Sequence, residues 1–271
     1  MSRQIDAETA FAWFTTPRRL QDLPAATALL AAAQRHALPH EGNRLALWSW
    51  GQGPRILLVH GWEGAAAQFH ALIPALLAAG YQVVAAEMPA HGASEGRQAD
   101  PVAFGRAVAA VGRALLAGTD GLEAAPVDTY IGHSVGSAAG IYAFAQGLQA
   151  GRSIHIAGPV SLLRAADRFV GAVGLAAAEA ARFPTLLQRI TGPRTDIMEL
   201  HAVQSGLRHP ALLLHDPADP VVPYGDSAAL AAAWPQAALL PLPDAGHTAI
   251  LEDPRLLAAI AGFLPRMAEA A

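Results

Sequence analysis

The sequence predicts an α/β protein with a mostly parallel, doubly wound sheet, and three observations point there. Short apolar runs alternate with longer Ala/Leu-rich stretches along most of the chain, the pattern of buried parallel strands covered by helices on both faces. No internal repeat or low-complexity linker breaks the alternation. Hydrophobic residues make up 53% of the 271 and charged residues 15%, so the chain can bury a sizeable core and does not read as disordered.

Taken in order, the first 44 residues predict helix: a short one at 10–14 with a turn at Thr16 and Pro17, then a longer one over 24–37 that starts near Asp22 and Pro24. Arg18 and Arg19 before the apolar stretch 23–33 look faintly like a signal peptide. The pair lies far from Met1, however, and Gln21 and Asp22 interrupt it, so an amphipathic helix is the better reading. Residues 44–50 alternate and meet Gly51-Gln52-Gly53-Pro54, a strand and a turn leading into a strand at 55–60. Further strands are expected at 82–86, 127–131, 153–157, 211–215 and 237–240, and helices at 68–79, 101–116, 137–149, 225–234 and 254–264. Such connections between parallel strands imply right-handed crossovers.

Between 158 and 207 helical stretches follow one another with no strand between them. An inserted helical cap is expected there, with Leu162, Phe169, Val173, Phe183 and Leu187 on its apolar face. It serves either as extra packing or as a lid over a pocket. The expected organisation is an N-terminal helical extension at 1–44, a core made of 45–157 and 208–271, and the cap at 158–207.

Composition excludes several function classes. The absence of cysteine rules out disulfides, thiolate metal sites and a cysteine nucleophile. All 18 basic residues are arginines, scattered through a chain of net charge −4, which leaves no electrostatic footprint for nucleic acid. No apolar run reaches the roughly 18 residues that span a bilayer, so a soluble, cytoplasmic protein without an integral membrane segment is expected. Eleven histidines occur, yet none shows His-Glu-x-x-His or comparable ligand spacing, and no metal is expected.

The chemistry centres on Gly132-His133-Ser134-Val135-Gly136, at the end of the strand reaching Ile131 and the start of a small-residue helix. Gly-x-Ser-x-Gly at a strand-to-helix junction reads as a nucleophile elbow, whose small neighbours let a strained turn close while the serine Oγ stays exposed. Its glycines lack the spacing of a dinucleotide fingerprint, so no cofactor is expected. An elbow serine needs a base and a carboxylate, which should follow it in the order acid then base. Residues 215–223 place Asp216 and Asp219 in a loop after one strand, and residues 243–248 place His247 in a loop after the last. Ser134, His247 and Asp219 take the roles of nucleophile, base and acid. The backbone N–H groups of Val135 and Trp62, the latter in the loop His60-Gly61-Trp62-Glu63-Gly64, are the expected oxyanion donors.

These stretches resemble the α/β-hydrolase superfamily, in its compact, capped members with a serine nucleophile. The resemblance runs from about Leu45 to the C-terminus. It rests on His60-Gly61-Trp62, Met88-Pro89-Ala90-His91-Gly92-Ala93-Ser94, the pentapeptide around Ser134, Asp219-Pro220-Val221-Val222-Pro223 and Gly246-His247. Ala90 stands where the family has a glycine, and Glu87 where an aspartate is common. The resemblance favours Asp219 over Asp216, which reads as a turn or capping residue, and leaves His60, His91, His133 and His215 as structural histidines. Glu63 and His70 read as polar loop residues rather than substrate contacts. It implies an esterase-like activity on a small molecule with an apolar acyl or alcohol part; thioesters, amides, carbon–carbon bonds, transfer to alcohol or peroxide, and non-enzymatic binding remain open, as does the oligomeric state.

Overall fold

The computed structural model describes residues 5–19, 24–119 and 121–265. Eight strands, β1 (Gln34–His40), β2 (Asn43–Trp50), β3 (Arg55–Val59), β4 (Gln82–Ala86), β5 (Val127–His133), β6 (Ala150–Ile156), β7 (Ala211–His215) and β8 (Ala237–Pro241), form one sheet in the order β1-β2-β4-β3-β5-β6-β7-β8. The pairs made by β2 are antiparallel and those from β4 to β8 are parallel. The helices are α1 (Ala7–Thr15), α2 (Thr27–Ala31), α3 (Leu72–Ala78), α4 (Pro101–Ala117), α5 (Val135–Ala145), α6 (Leu162–Val173), α7 (Ala177–Ala180), α8 (Phe183–Thr191), α9 (Leu200–Val203), α10 (Tyr224–Ala233) and α11 (Pro254–Phe263).

The strand period of two divides the core into two layers. Ile56 and Leu58 of β3 face Leu72, Ile73 and Leu76 of α3 and Ile260 of α11, whereas Leu57 and Val59 face Phe104 and Val108 of α4 and Ala139 of α5. Both faces are therefore dry, which is why β3 and β7 are buried at every residue and read as continuous apolar runs.

The helix expected over 24–37 is not there. A short 3₁₀ turn leads into α2, which stops at Ala31, and residues 34–40 form β1; the expected helix start at Asp22 lies outside the described residues. Propensity favoured helix in this Ala-rich stretch, but sheet pairing overrides it. His36 and Leu38 point inward while Arg35 and Ala37 stay exposed, and β1 pairs with β2 along its whole length. The connecting residues Glu41 and Gly42 have φ of 44° and 76°, the positive values that a two-residue hairpin turn requires. The N-terminal region is thus partly sheet rather than a helical extension.

Helix α1 packs on the helices between β6 and β7 instead of on the sheet. Phe11 and Phe14 meet Phe183 and Phe169 edge-on, with ring centroids 5.2–5.9 Å apart.

Burial shifts the titration of five histidines, four of them (His60, His91, His133 and His155) at most 2% exposed and the fifth, His209, partly buried. Burial lowers the pKa of His60 to about 4, and burial with help from neighbouring histidines lowers His91, His133 and His155 to about 3. Burial also holds His209 at about 4. His155 bridges Ser137 Oγ (2.9 Å) and Ser153 Oγ (3.0 Å), and His209 joins the same Ser153 hydroxyl at 2.9 Å.

Two outcomes are expected. Because these rings stay neutral in the folded chain but protonate near pH 6.5 when unfolded, stability is level above about pH 7 and falls as the pH drops from about 6.5 toward 4. Denaturant midpoints at pH 8, 7, 6 and 5 check this; equal midpoints would count against it. Glycine substitutions should part company: a Cβ at Gly136 would lie 2.3 Å from the Val59 carbonyl oxygen, whereas Gly171 in α6 has open space. Gly136→Ala should cost about 3 kcal/mol or more and Gly171→Ala should gain up to about 1 kcal/mol, both read by denaturant unfolding.

Candidate active site

Ser134 joins β5 to α5 with φ 52° and ψ −123°, a backbone conformation that costs a non-glycine residue on the order of 1–3 kcal/mol. Its surroundings hold it there. The Ser134 N–H donates to the Ile156 carbonyl of β6 at 2.8 Å, and the buried Tyr130 hydroxyl donates to the Gly136 carbonyl. Each pentapeptide glycine meets backbone at a distance no Cβ tolerates: one on Gly132 would sit 2.7 Å from Gly136 C. The serine side chain is thereby presented at the carboxyl edge of the sheet.

Two loops from neighbouring strand ends converge on it. His247 Nε2 lies 3.0 Å from Ser134 Oγ, and His247 Nδ1 donates to Asp219 Oδ2 at 2.7 Å. The Asp219 carboxylate is fully buried. Burial alone would raise its pKa, but hydrogen bonds from His215, His247 and the Val222 and Val221 amides outweigh that and hold it well below the usual carboxylate range. His215 Nε2 lies 3.3 Å from Asp219 Oδ2 while also donating to the Val222 carbonyl, and its Nδ1 is 2.7 Å from Ser227 Oγ.

Asp216 does not touch His247. Its oxygens accept from the amides of Ala218 (2.9 Å), Asp244 (3.2 Å) and Gly246 (2.7 Å), which ties down the turn that delivers His247. His133 acts on the same loop from the other side: Nε2 donates to the His247 carbonyl at 2.8 Å.

The loop after β3 closes against the elbow. A Cβ on Gly61 would be 3.0 Å from Ser134 Cβ, a tight contact that glycine avoids. His60 Nδ1 donates to the Gly61 carbonyl and Nε2 accepts the Met88 N–H. Among the described residues no acceptor within the protein meets the N–H of Trp62 or of Val135; the latter stands at the N-terminus of α5, where the helix dipole favours negative charge. The Trp62 ring stacks on Phe104 and meets His91 edge-on. Glu63 turns away at φ 59°, both carboxylate oxygens taken by the Arg18 guanidinium and one also by the Arg18 N–H. His70 lies 4.0 Å from Glu252, outside this cluster.

The two departures in the 87–94 loop also find their places. Ala90 adopts φ 64°, the conformation for which glycine is the unstrained choice. The longer Glu87 carboxylate accepts from Ala66 N at 3.0 Å and Ala93 N at 2.7 Å, joining this loop to the segment after β3.

Among the described residues no group of three or more His, Asp or Glu side chains is arranged to hold a metal ion, and no helix is long and apolar enough to cross a membrane. Asp216 is the turn-holding residue the sequence suggested and His215 a structural histidine, though their particular partners were not foreseen. The part played by Arg18 was missed, since nothing in the sequence pairs it with Glu63, 45 residues away.

A family model for the alpha/beta hydrolase fold matches residues 54–173, and one for TAP-like protein matches 189–266. No curated protein matches the chain. Among solved structures, an esterase from Pyrococcus furiosus is 18% identical, with a TM-score of 0.69 over 92% of this chain and 95% of that one. A hydrolase from Pseudomonas aeruginosa is 20% identical, with a TM-score of 0.64 over 85% and 98%. A thioesterase domain from the curacin biosynthetic pathway is 19% identical, with a TM-score of 0.59 over 85% and 98%. At these identities the likeness speaks to fold. The two family models, which lie on either side of the inserted helices' midpoint, and this likeness of fold together support the α/β-hydrolase superfamily.

Proposed function

We propose that the protein is a serine hydrolase that cleaves a small carboxylic ester, or a related acyl substrate, through an acyl-enzyme. The observation that carries this reading is the continuous chain from Ser134 Oγ through His247 to the buried Asp219. A serine hydroxyl is a poor nucleophile unless a base takes its proton as it attacks. His247 Nε2 is within hydrogen-bond reach of that proton, and Asp219, held ionised by its amide and imidazole donors, fixes the tautomer with the proton on Nδ1.

In the first half-reaction Ser134 Oγ bonds to the acyl carbon and its proton passes to His247 Nε2. The protonated imidazole then gives that proton to the departing alkoxide as the carbon–oxygen bond breaks. In the second half-reaction His247 deprotonates water, water attacks the acyl carbon, and Ser134 leaves with the proton returned. Both tetrahedral intermediates carry an oxyanion, for which the Val135 and Trp62 N–H groups are the donors. The N-terminus of α5 adds its dipole at the same point. The inserted helices 158–207 act as a cap over this centre, and the substrate is a small molecule with an apolar part.

Fluorophosphonate labelling followed by peptide mapping should modify Ser134, and the purified protein should turn over short p-nitrophenyl esters. Ser134→Ala should remove this activity; label on another residue, or undiminished turnover in the variant, would sink the assignment. The two aspartates should separate cleanly in the same assay. Asp219→Asn should lower kcat by about 10³–10⁴ through the wrong imidazole tautomer, whereas Asp216→Asn should leave kcat within about tenfold and instead reduce stability by about 1–3 kcal/mol, since a buried acceptor of amide protons is lost.

A further inference from the structure

Two small apolar voids lie side by side beneath the inserted helices, along the face of α5 that leads away from Ser134. The first, about 40 Å³, has Val135 and Pro101 at one end and Leu162 and Ala165 of α6 above. The second, about 10 Å³, reaches on to Ile141 and Val203. Ala138, Pro159 and Met198 line both. Ala138 and Pro159 are short and rigid parts of the wall. Met198, only 6% exposed, is an unbranched side chain with three rotatable bonds, the kind that fills an irregular gap and can vacate it.

The first void begins at the residue that follows the nucleophile. None of the residues lining either void comes from 216–223 or 242–248, the loops that carry Asp219 and His247. A leaving group must end within reach of His247 Nε2 to collect its proton, so it departs on the side of those loops. The acyl chain is left with the side of Val135. The lining there is apolar apart from Ser161, whose hydroxyl caps α6 by accepting the Arg164 N–H at 3.0 Å, so it holds no charged group to meet a charged chain and suits a hydrocarbon one.

We propose that the first void is the acyl pocket and that Met198 divides it from the second, so setting the longest acyl chain the enzyme accepts. This rests on Ser134 being the nucleophile. One water needs roughly 10–15 Å³ of such volume, so the first void holds about three water-sized groups, and the acyl part is a saturated chain of about two to four carbons. Removing the Met198 side chain merges the voids into one slot along α5, and longer chains enter.

The test is kcat/KM on p-nitrophenyl acetate, butanoate, hexanoate and octanoate. Wild type should fall at least about tenfold from butanoate to octanoate, and Met198→Ala should raise the octanoate-to-acetate ratio at least about tenfold over wild type, the scale set by a methylene fitting or failing to fit an apolar pocket. Met198→Val, which removes less volume, reads the same ratio should the alanine variant not fold. Ala165→Leu, which fills the first void from above, should shift preference the other way, toward acetate. Unchanged chain-length profiles in an active Met198 variant and in Ala165→Leu, or a wild type that takes octanoate as readily as acetate, would overturn the division. A wild type with no ester turnover and no fluorophosphonate label on Ser134 overturns the nucleophile assignment and this inference with it, so the two failures are told apart.

Discussion

The site depends on one constraint, the left-handed backbone of Ser134 between β5 and α5. A residue at φ 52° and ψ −123° relaxes unless everything around it is fixed, and here the fixing is redundant. The Ile156 carbonyl holds the serine N–H, Tyr130 holds the Gly136 carbonyl, the backbones around Gly132 and Gly136 approach too closely for any side chain, and Gly61 sits tightly against Ser134 Cβ. The same reasoning reaches one strand further, because a Cβ at Gly158 would collide with Ser137 Oγ on the first turn of α5. Four close approaches around one residue leave the elbow no nearby relaxed state, so the strain persists and Oγ stays presented.

Around this point the electrostatics are arranged by burial and then corrected by hydrogen bonds. Burial without partners would neutralise Asp219; its four donors keep it charged despite full burial. Burial of His60, His91 and His133 goes uncorrected by any strong anion and leaves them neutral, so they act as hydrogen-bonding wedges between loops. Among the described residues, Asp219 is the carboxylate that faces the histidine reaching Ser134 Oγ, while Asp216 and Glu87 are engaged by backbone amides.

The central sheet was legible because strands buried on both faces leave short apolar runs bounded by turn residues, as at 56–59 and 211–214. The elbow was legible because its glycines answer a backbone collision and so cannot vary. β1 was hidden: alanine and leucine around a proline carry little strand character, and the evidence for pairing lies in the Glu41-Gly42 turn and the strand beyond it. The supports of the site were hidden for another reason. Arg18 with Glu63 and His133 with the His247 carbonyl are contacts between segments far apart in the chain, and no periodicity records them. Met198 likewise shows its place only once α5 and the turn before α9 are packed together.

The least expected part of the fold is the partnership between the two ends of the helical layer. α1 precedes the sheet, yet it joins helices inserted between β6 and β7, and three kinds of contact could hold it there. The Arg189–Glu8 pair is exposed on both sides, and water screens it into a minor role. The Ala7 N–H donates to the Glu179 carboxylate at 2.8 Å, a single charge-assisted bond near the surface. The rings of Phe11, Phe14, Phe169 and Phe183 form a cluster of edge-on and tilted contacts, each worth about 0.5–1.5 kcal/mol beyond the area it buries. The aromatic cluster therefore decides the matter. From α1 the chain runs on to meet the Ala99 N–H with the Thr15 carbonyl (2.8 Å) and Glu63 with Arg18, so α6 and α8 are fastened through α1 to the loop that carries Trp62.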